Sequence, residues 1–111
     1  MPFFLHQWTY KDQQVRSLLL ESTDRSEVVR VAIEAFGGTL QSFYYCFGSY
    51  DGLAISKFPD HETALAAVLA ITGQGRINAL QTTVLLSAEE GLKAMRQASD
   101  AIKDRQAPGA P

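Results

Sequence analysis

The stretch Gly48-Ser49-Tyr50-Asp51-Gly52 constrains this chain more than any other. It is a glycine-bracketed turn between two runs that alternate like strands, an aromatic-rich one over residues 39–47 and Leu-Ala-Ile-Ser-Lys-Phe over residues 53–58. Turn residues flanked by such runs predict a β-hairpin in the middle of the chain. A central hairpin excludes a doubly wound parallel sheet, whose strands need long crossovers.

The segments on either side supply the remaining elements. Residues 3–10 alternate, with Phe3 and Leu5 on one face and Phe4, His6, Trp8 and Tyr10 on the other, which predicts a first strand. Residues 11–20 are polar and then apolar at Val15, Leu18 and Leu19, reading as a connecting segment or a turn of helix packed onto the body. Ser22-Thr23-Asp24 offers N-cap oxygens to a helix carrying Val29, Ile33 and Phe36 and closed by Gly37-Gly38. In the second strand Phe43, Tyr45 and Phe47 share a side, opposite Leu40, Ser42, Tyr44 and Cys46.

Beyond the hairpin, Asp60 caps a second helix with a stripe of Leu65, Val68, Leu69 and Thr72, flanked by Ala64, Ala66, Ala67 and Ala70. Gly73-Gln74-Gly75 ends it, and residues 76–86 form a β-branched fourth strand. Ser87-Ala88-Glu89-Glu90 is a capping box opening a last helix to about Lys103, with Glu89/Lys93 and Arg96/Asp100 pairs on its solvated face. Residues 1–103 are expected to form a single domain, and the Pro-containing residues 104–111 a mobile tail.

The order strand, helix, strand, strand, helix, strand predicts an α+β fold, the ferredoxin-like βαββαβ sandwich with an antiparallel sheet and an extra C-terminal helix. Both main helices fall on one sheet face, with the first and third strands central. The first two strands nevertheless carry aromatics on both sides, and a large uncovered apolar face implies a partner. A homodimer with its sheets packed face to face, a dimeric α/β barrel, is the expected solution.

Composition narrows the function classes. A chain of 111 residues with 46% hydrophobic and 20% charged residues is an ordinary globular domain, and its net charge of -2 gives no general attraction for nucleic acid or anionic membrane. The apolar start lacks the basic region of a signal peptide. Cys46 is the sole cysteine, so no disulfide or cysteine-based metal site can form within one chain, and a cytoplasmic location is expected.

The hairpin residues Gly48-Ser49-Tyr50-Asp51, followed by Leu53-Ala54-Ile55, resemble the signature of the GYD domain family. Trp8-Thr9-Tyr10-Lys11-Asp12-Gln13, Ala35-Phe36-Gly37-Gly38, Phe43-Tyr44-Tyr45 and Pro59-Asp60-His61-Glu62-Thr63-Ala64 are similar to that family in the same order. One departure is Gln14, where the family often has glycine after Asp12-Gln13. The resemblance implies the dimeric α/β-barrel superfamily fold; the family has no established activity, so it implies no chemistry. A weaker likeness is to the amino-acid-responsive domains of feast/famine regulators, which carry a similar Gly-x-Tyr-Asp hairpin. The helix-turn-helix that normally precedes such a domain has no counterpart in this sequence, so DNA binding is not expected.

Individual residues divide between chemical and architectural readings. His6 is the one mid-strand group whose ordinary pKa lies near neutrality, which makes it the catalytic candidate; a lone strand histidine is more often a hydrogen-bonded core residue. Asp51 beside Gly52 more often braces a turn than serves a cleft, Tyr50 either reaches a pocket or stacks across the hairpin, and Gly48 supplies an unusual backbone angle. Cys46 between Tyr45 and Phe47 reads as a small buried hydrophobe. Gly73-Gln74-Gly75-Arg76 is a weak anion cradle, since it precedes a strand rather than a helix. No metal motif, phosphate loop or nucleophile elbow is present, and no cofactor is expected.

Three functions follow. The first is a homodimer binding a small, partly apolar molecule in an aromatic-lined cavity at the sheet face, contributed by His6, Trp8, Tyr44, Tyr50 and Asp51. The second is a cofactor-independent enzyme in that cavity, of the isomerase or oxygenase type that the resemblance to the superfamily implies, with His6 as acid or base and Tyr50 or Asp51 as its partner. The third is a structural or protein-interaction module with no ligand. An RNA-binding sandwich ranks last, because residues 51–58 lack paired base-stacking aromatics.

Overall fold

Alternation at Phe3–Tyr10 builds β1, the strand around which a computed structural model of the chain is arranged, with residues 1–105 described. The elements that follow are α1 (Asp12–Leu20), α2 (Arg25–Ala35), β2 (Thr39–Tyr45), β3 (Gly52–Lys57), α3 (His61–Thr72), β4 (Ile77–Leu85) and α4 (Ala88–Arg105). The four strands form one antiparallel sheet in the order β2-β3-β1-β4, so β1 and β3 are central and the fold is the ferredoxin-like sandwich.

Helices α2, α3 and α4 begin where side chains satisfy their first N–H groups, whereas α1 starts after Lys11 with no side-chain cap. The Asp24 carboxylate accepts from Ser26 N–H at 3.0 Å, and that of Asp60 from Thr63 N–H at 2.8 Å. At α4 the capping box forms, with Ser87 N–H donating to Glu90 Oε1 at 2.9 Å and Glu90 N–H to Ser87 Oγ at 3.0 Å.

The core lies between one sheet face and the helices α2 and α3. Phe4, Ile33, Phe58, Ala64 and Ala67 form it, with Val29, Phe36 and Leu40 packed alongside. Leu40 shares this face with Phe43 instead of opposing it. The reason is a β-bulge: Leu40 pairs with Ser56 and Ser42 with Ile55, so Gln41 is an extra residue that resets the alternation of β2.

The expected α3 stripe is also corrected. Ala64 and Ala67 are buried, whereas Leu65 and Leu69 are exposed, because the small alanine face lets the helix settle over the Phe58 ring. Residues 12–20 form a nine-residue helix, longer than a connecting turn, and it buries no residue. Leu19 and Leu20 point to solvent.

On the other sheet face, Phe3, Leu5, Leu53, Ile55 and Leu85 stay half-exposed. From Leu86 to Asp104 every residue except Gly91 is exposed. Among the described residues the only ion pairs join Arg30 to Glu27 and Glu34, so the expected Glu89/Lys93 and Arg96/Asp100 pairs stand apart. Helix α4 continues to Arg105, past the expected end of the domain, and residues 106–111 of the expected tail lie outside the described residues.

Candidate functional site

Alternate residues of β1 decide where the site lies. Phe4, His6 and Trp8 point to the helix-covered face and are buried, at 3%, 8% and 4% exposure. Opposite them on β3 stand Ser56, Ala54 and Gly52, all buried. These small side chains leave space above the sheet that the alanine-lined α3 does not fill. A cavity of about 70 Å³ results, open to solvent where the exposed Gln74 and Arg76 line it, so that only part of a bound molecule need be enclosed.

Its inner wall is aromatic and aliphatic, with Trp8, Ile33, Ala54 and Phe58 buried and Leu80 and Ile71 half-buried. Trp8 is set by its neighbours. Its ring meets Phe43 at 5.5 Å and Tyr10 at 6.4 Å between centroids, and it lies over Gly52 so closely that a Cβ there would fall 2.5 Å from the indole. Glycine at position 52 is therefore required by the indole as much as by the hairpin. At Gly48 the requirement is conformational, with φ of 119°.

His6 occupies the floor. Its Nδ1 lies 2.9 Å from Thr82 Oγ1 on β4 and its Nε2 2.7 Å from Ser56 Oγ on β3, so one imidazole links three adjacent strands. Neutral imidazole has one donor and one acceptor nitrogen, and a hydroxyl can serve either. Burial lowers its pKa to about 4, so it is uncharged at neutral pH. This is the hydrogen-bonded core arrangement; a base with both nitrogens engaged has no lone pair free for a substrate.

The hairpin residues stand elsewhere. Asp51 accepts from Tyr10 N–H at 2.8 Å through Oδ2, and its own N–H donates to Trp8 O at 2.8 Å, so its side chain ties the loop to the end of β1, while its carbonyl accepts from Cys46 N–H at 2.9 Å across the turn. Tyr50 reaches across the sheet face away from the helices and donates to Gln81 Oε1 at 2.6 Å. Tyr44 pairs with Leu53 on that same face and is exposed. Cys46 is half-buried, its thiol donating to Tyr50 O at 3.3 Å.

The five expected ligand-binding residues are thus not brought to one cavity within a chain. His6 and Trp8 line the helix-side space, Tyr44 and Tyr50 lie across the sheet from it, and Asp51 sits at the strand end between them. Sequence reasoning did not assign Tyr10, Arg25, Gln74 and Arg76 to this space, although all four line it. The Gly73–Arg76 turn was the one available signal. Tyr10 is half-buried, and burial pushes its phenol pKa up. Among the described residues no group of three or more His, Cys, Asp or Glu side chains is placed to hold a metal ion, and no helix is long and apolar enough to cross a membrane.

Comparisons with known proteins agree with this architecture. The crystal structure of FFRP-DM1 superposes with a TM-score of 0.51 at 15% sequence identity, covering 78% of this chain and 100% of that one, a likeness of fold. No curated protein matches the chain. The family model described as GYD domain matches residues 4–95, which contain all of the sheet but Phe3, the cavity and the hairpin signature, and the chain therefore belongs to the GYD domain family.

Proposed function

We propose that the protein is a cytoplasmic homodimer that binds a small, partly apolar molecule in the cavity between its sheet and helices α2 and α3. The observation that carries the reading is the cavity itself, walled by Trp8, Phe58 and Ile33 and floored by the neutral His6. A pre-formed, mostly apolar space with a few polar groups is the usual character of a ligand site. The opposite sheet face supports self-association. Burying Phe3, Leu5, Leu53 and Ile55 against a second copy contributes roughly 1.5–3 kcal/mol per large side chain before association costs. The domain occupies residues 1–103 in this reading. The enzymatic alternative draws no support from His6, whose nitrogens are both occupied.

Native mass spectrometry of freshly purified protein tests both parts, with a dimer and a co-purifying small mass expected. A monodisperse monomer at micromolar concentration contradicts the assembly. Trp8 is the only tryptophan, so its fluorescence reports directly on the cavity. An emission spectrum indifferent to every small apolar probe contradicts the site.

A further inference from the structure

The chain as a whole is acidic, with ten basic and twelve acidic side chains, yet the residues lining the helix-side cavity include two arginines and no aspartate or glutamate. Arg25 is the first residue of α2 and is half-buried; Arg76 enters β4 from the Gly73–Arg76 turn and is exposed. Among the described residues neither arginine pairs with a carboxylate, since every ion pair belongs to Arg30. Asp51, whose charge reaches the Tyr10 phenol along with that of Arg25, is itself held by the Tyr10 N–H.

The surroundings add to this polarity. Lys11 N–H donates to Arg76 O at 3.1 Å, and the Lys11 ammonium lies 4.0 Å from where a Cβ on Gly75 would stand. A third cation therefore borders the same turn. Gln74, also on the lining, adds an amide donor. Deeper in, the wall is carbon.

We propose that the ligand of this cavity is a small organic carboxylate, with an aromatic or branched aliphatic body against Trp8 and Phe58 and a carboxylate held by Arg25 and Arg76. The inference rests on the ligand-binding reading above and gives it a chemical class. A guanidinium is planar and presents paired donors that match a carboxylate, and two at one mouth select for an anion. Phosphate fits less well. The N-terminus of α2 is already capped by Asp24, and the Gly73–Arg76 turn leads into a strand, so no helix N-terminus is free to face a dianion.

Trp8 emission, titrated in the intact protein with phenylacetate and with its uncharged isostere phenylacetamide, separates the possibilities. Phenylacetate is expected to saturate the signal with at least tenfold higher affinity than the amide. In the Arg25→Gln/Arg76→Gln variant, with an unchanged far-UV spectrum, that ratio is expected to fall to within about twofold. Arg25→Lys, which keeps the charge, retains part of it. Equal affinity for acid and amide in the wild type overturns the carboxylate inference and leaves the apolar cavity standing. Tighter binding of benzylphosphonate than of phenylacetate overturns it in favour of a phosphate-like ligand. No response to either compound or to toluene overturns the cavity reading together with it.

Discussion

The two faces of the sheet are drawn from the same four strands, and they differ in what alternate residues meet. On the helix side, β1 and β3 present Phe4, His6, Trp8, Ala54 and Ser56, every one of them buried, with large side chains from one strand set over small ones from its neighbour. On the other side they present Phe3, Leu5, Leu53 and Ile55, half-exposed, with Lys57 over the Phe3 ring at 5.5 Å and Tyr50 reaching Gln81. The first face closes on itself and leaves a shaped cavity. The second is apolar at its centre and ringed by polar groups, the composition of a surface that meets another protein.

Neighbouring residues break the comparison most directly. Phe4→Ala is expected to cost about 3–5 kcal/mol of stability at any protein concentration, because it empties the core cluster. Leu5→Ala, one residue on, is expected to show a loss that grows on dilution, because in the proposed dimer Leu5 packs against a second copy. Denaturant melts at two protein concentrations check both. Equal, concentration-independent losses would mean that the two faces are not distinct in kind.

His6 sharpens the helix side. Its folded pKa of about 4 lies below the ordinary 6.5, so between these values the unfolded chain binds the proton that the folded one refuses. The stability involved is complete above pH 6.5 and is lost as pH falls towards 4, by roughly 3 kcal/mol at most. His6→Gln is expected to abolish that step. The acid-lowered pKa values of Asp24, Asp60 and Glu90 act lower down, in the carboxylate range, and should persist in the variant.

Two smaller effects concern the hairpin that joins the faces. Asp51→Ala leaves the Tyr10 N–H without its acceptor and is expected to cost about 1–2 kcal/mol, read as a lower midpoint in urea. Tyr50→Phe removes one hydrogen bond to Gln81 on the open face and should cost under about 1 kcal/mol. A Tyr50→Phe loss exceeding that of Asp51→Ala would reverse the roles assigned to these two residues.

Much of the fold is legible in the sequence because it is written in local chemistry. The capping oxygens of Asp24, Asp60 and Ser87 mark helix starts, and the Gly48–Gly52 turn between alternating runs fixes the hairpin. Where the reading slipped, a non-local contact decided. The bulge at Gln41 is set by pairing with β3, and the burial of Ala64 over Leu65 by the Phe58 ring beneath. The candidate site was legible only in part. Alternation placed His6 and Trp8 together, but the register of β2 on β3 pairs Phe43 with Ala54 and Tyr44 with Leu53, and that non-local pairing puts Tyr44, like Tyr50, on the other side. Arg25 and Arg76, about fifty residues apart in the chain, meet one cavity only once α2 and β4 are in place.

Native mass spectrometry of Ile55→Asp, a charge placed at the centre of the open face beside Leu5 and Ser42, tests the division of labour most directly. A folded monomer that still takes up one phenylacetate per chain is the expected result. A variant that remains a dimer, or one that loses ligand and dimer together, would contradict the assignment of separate tasks to the two faces.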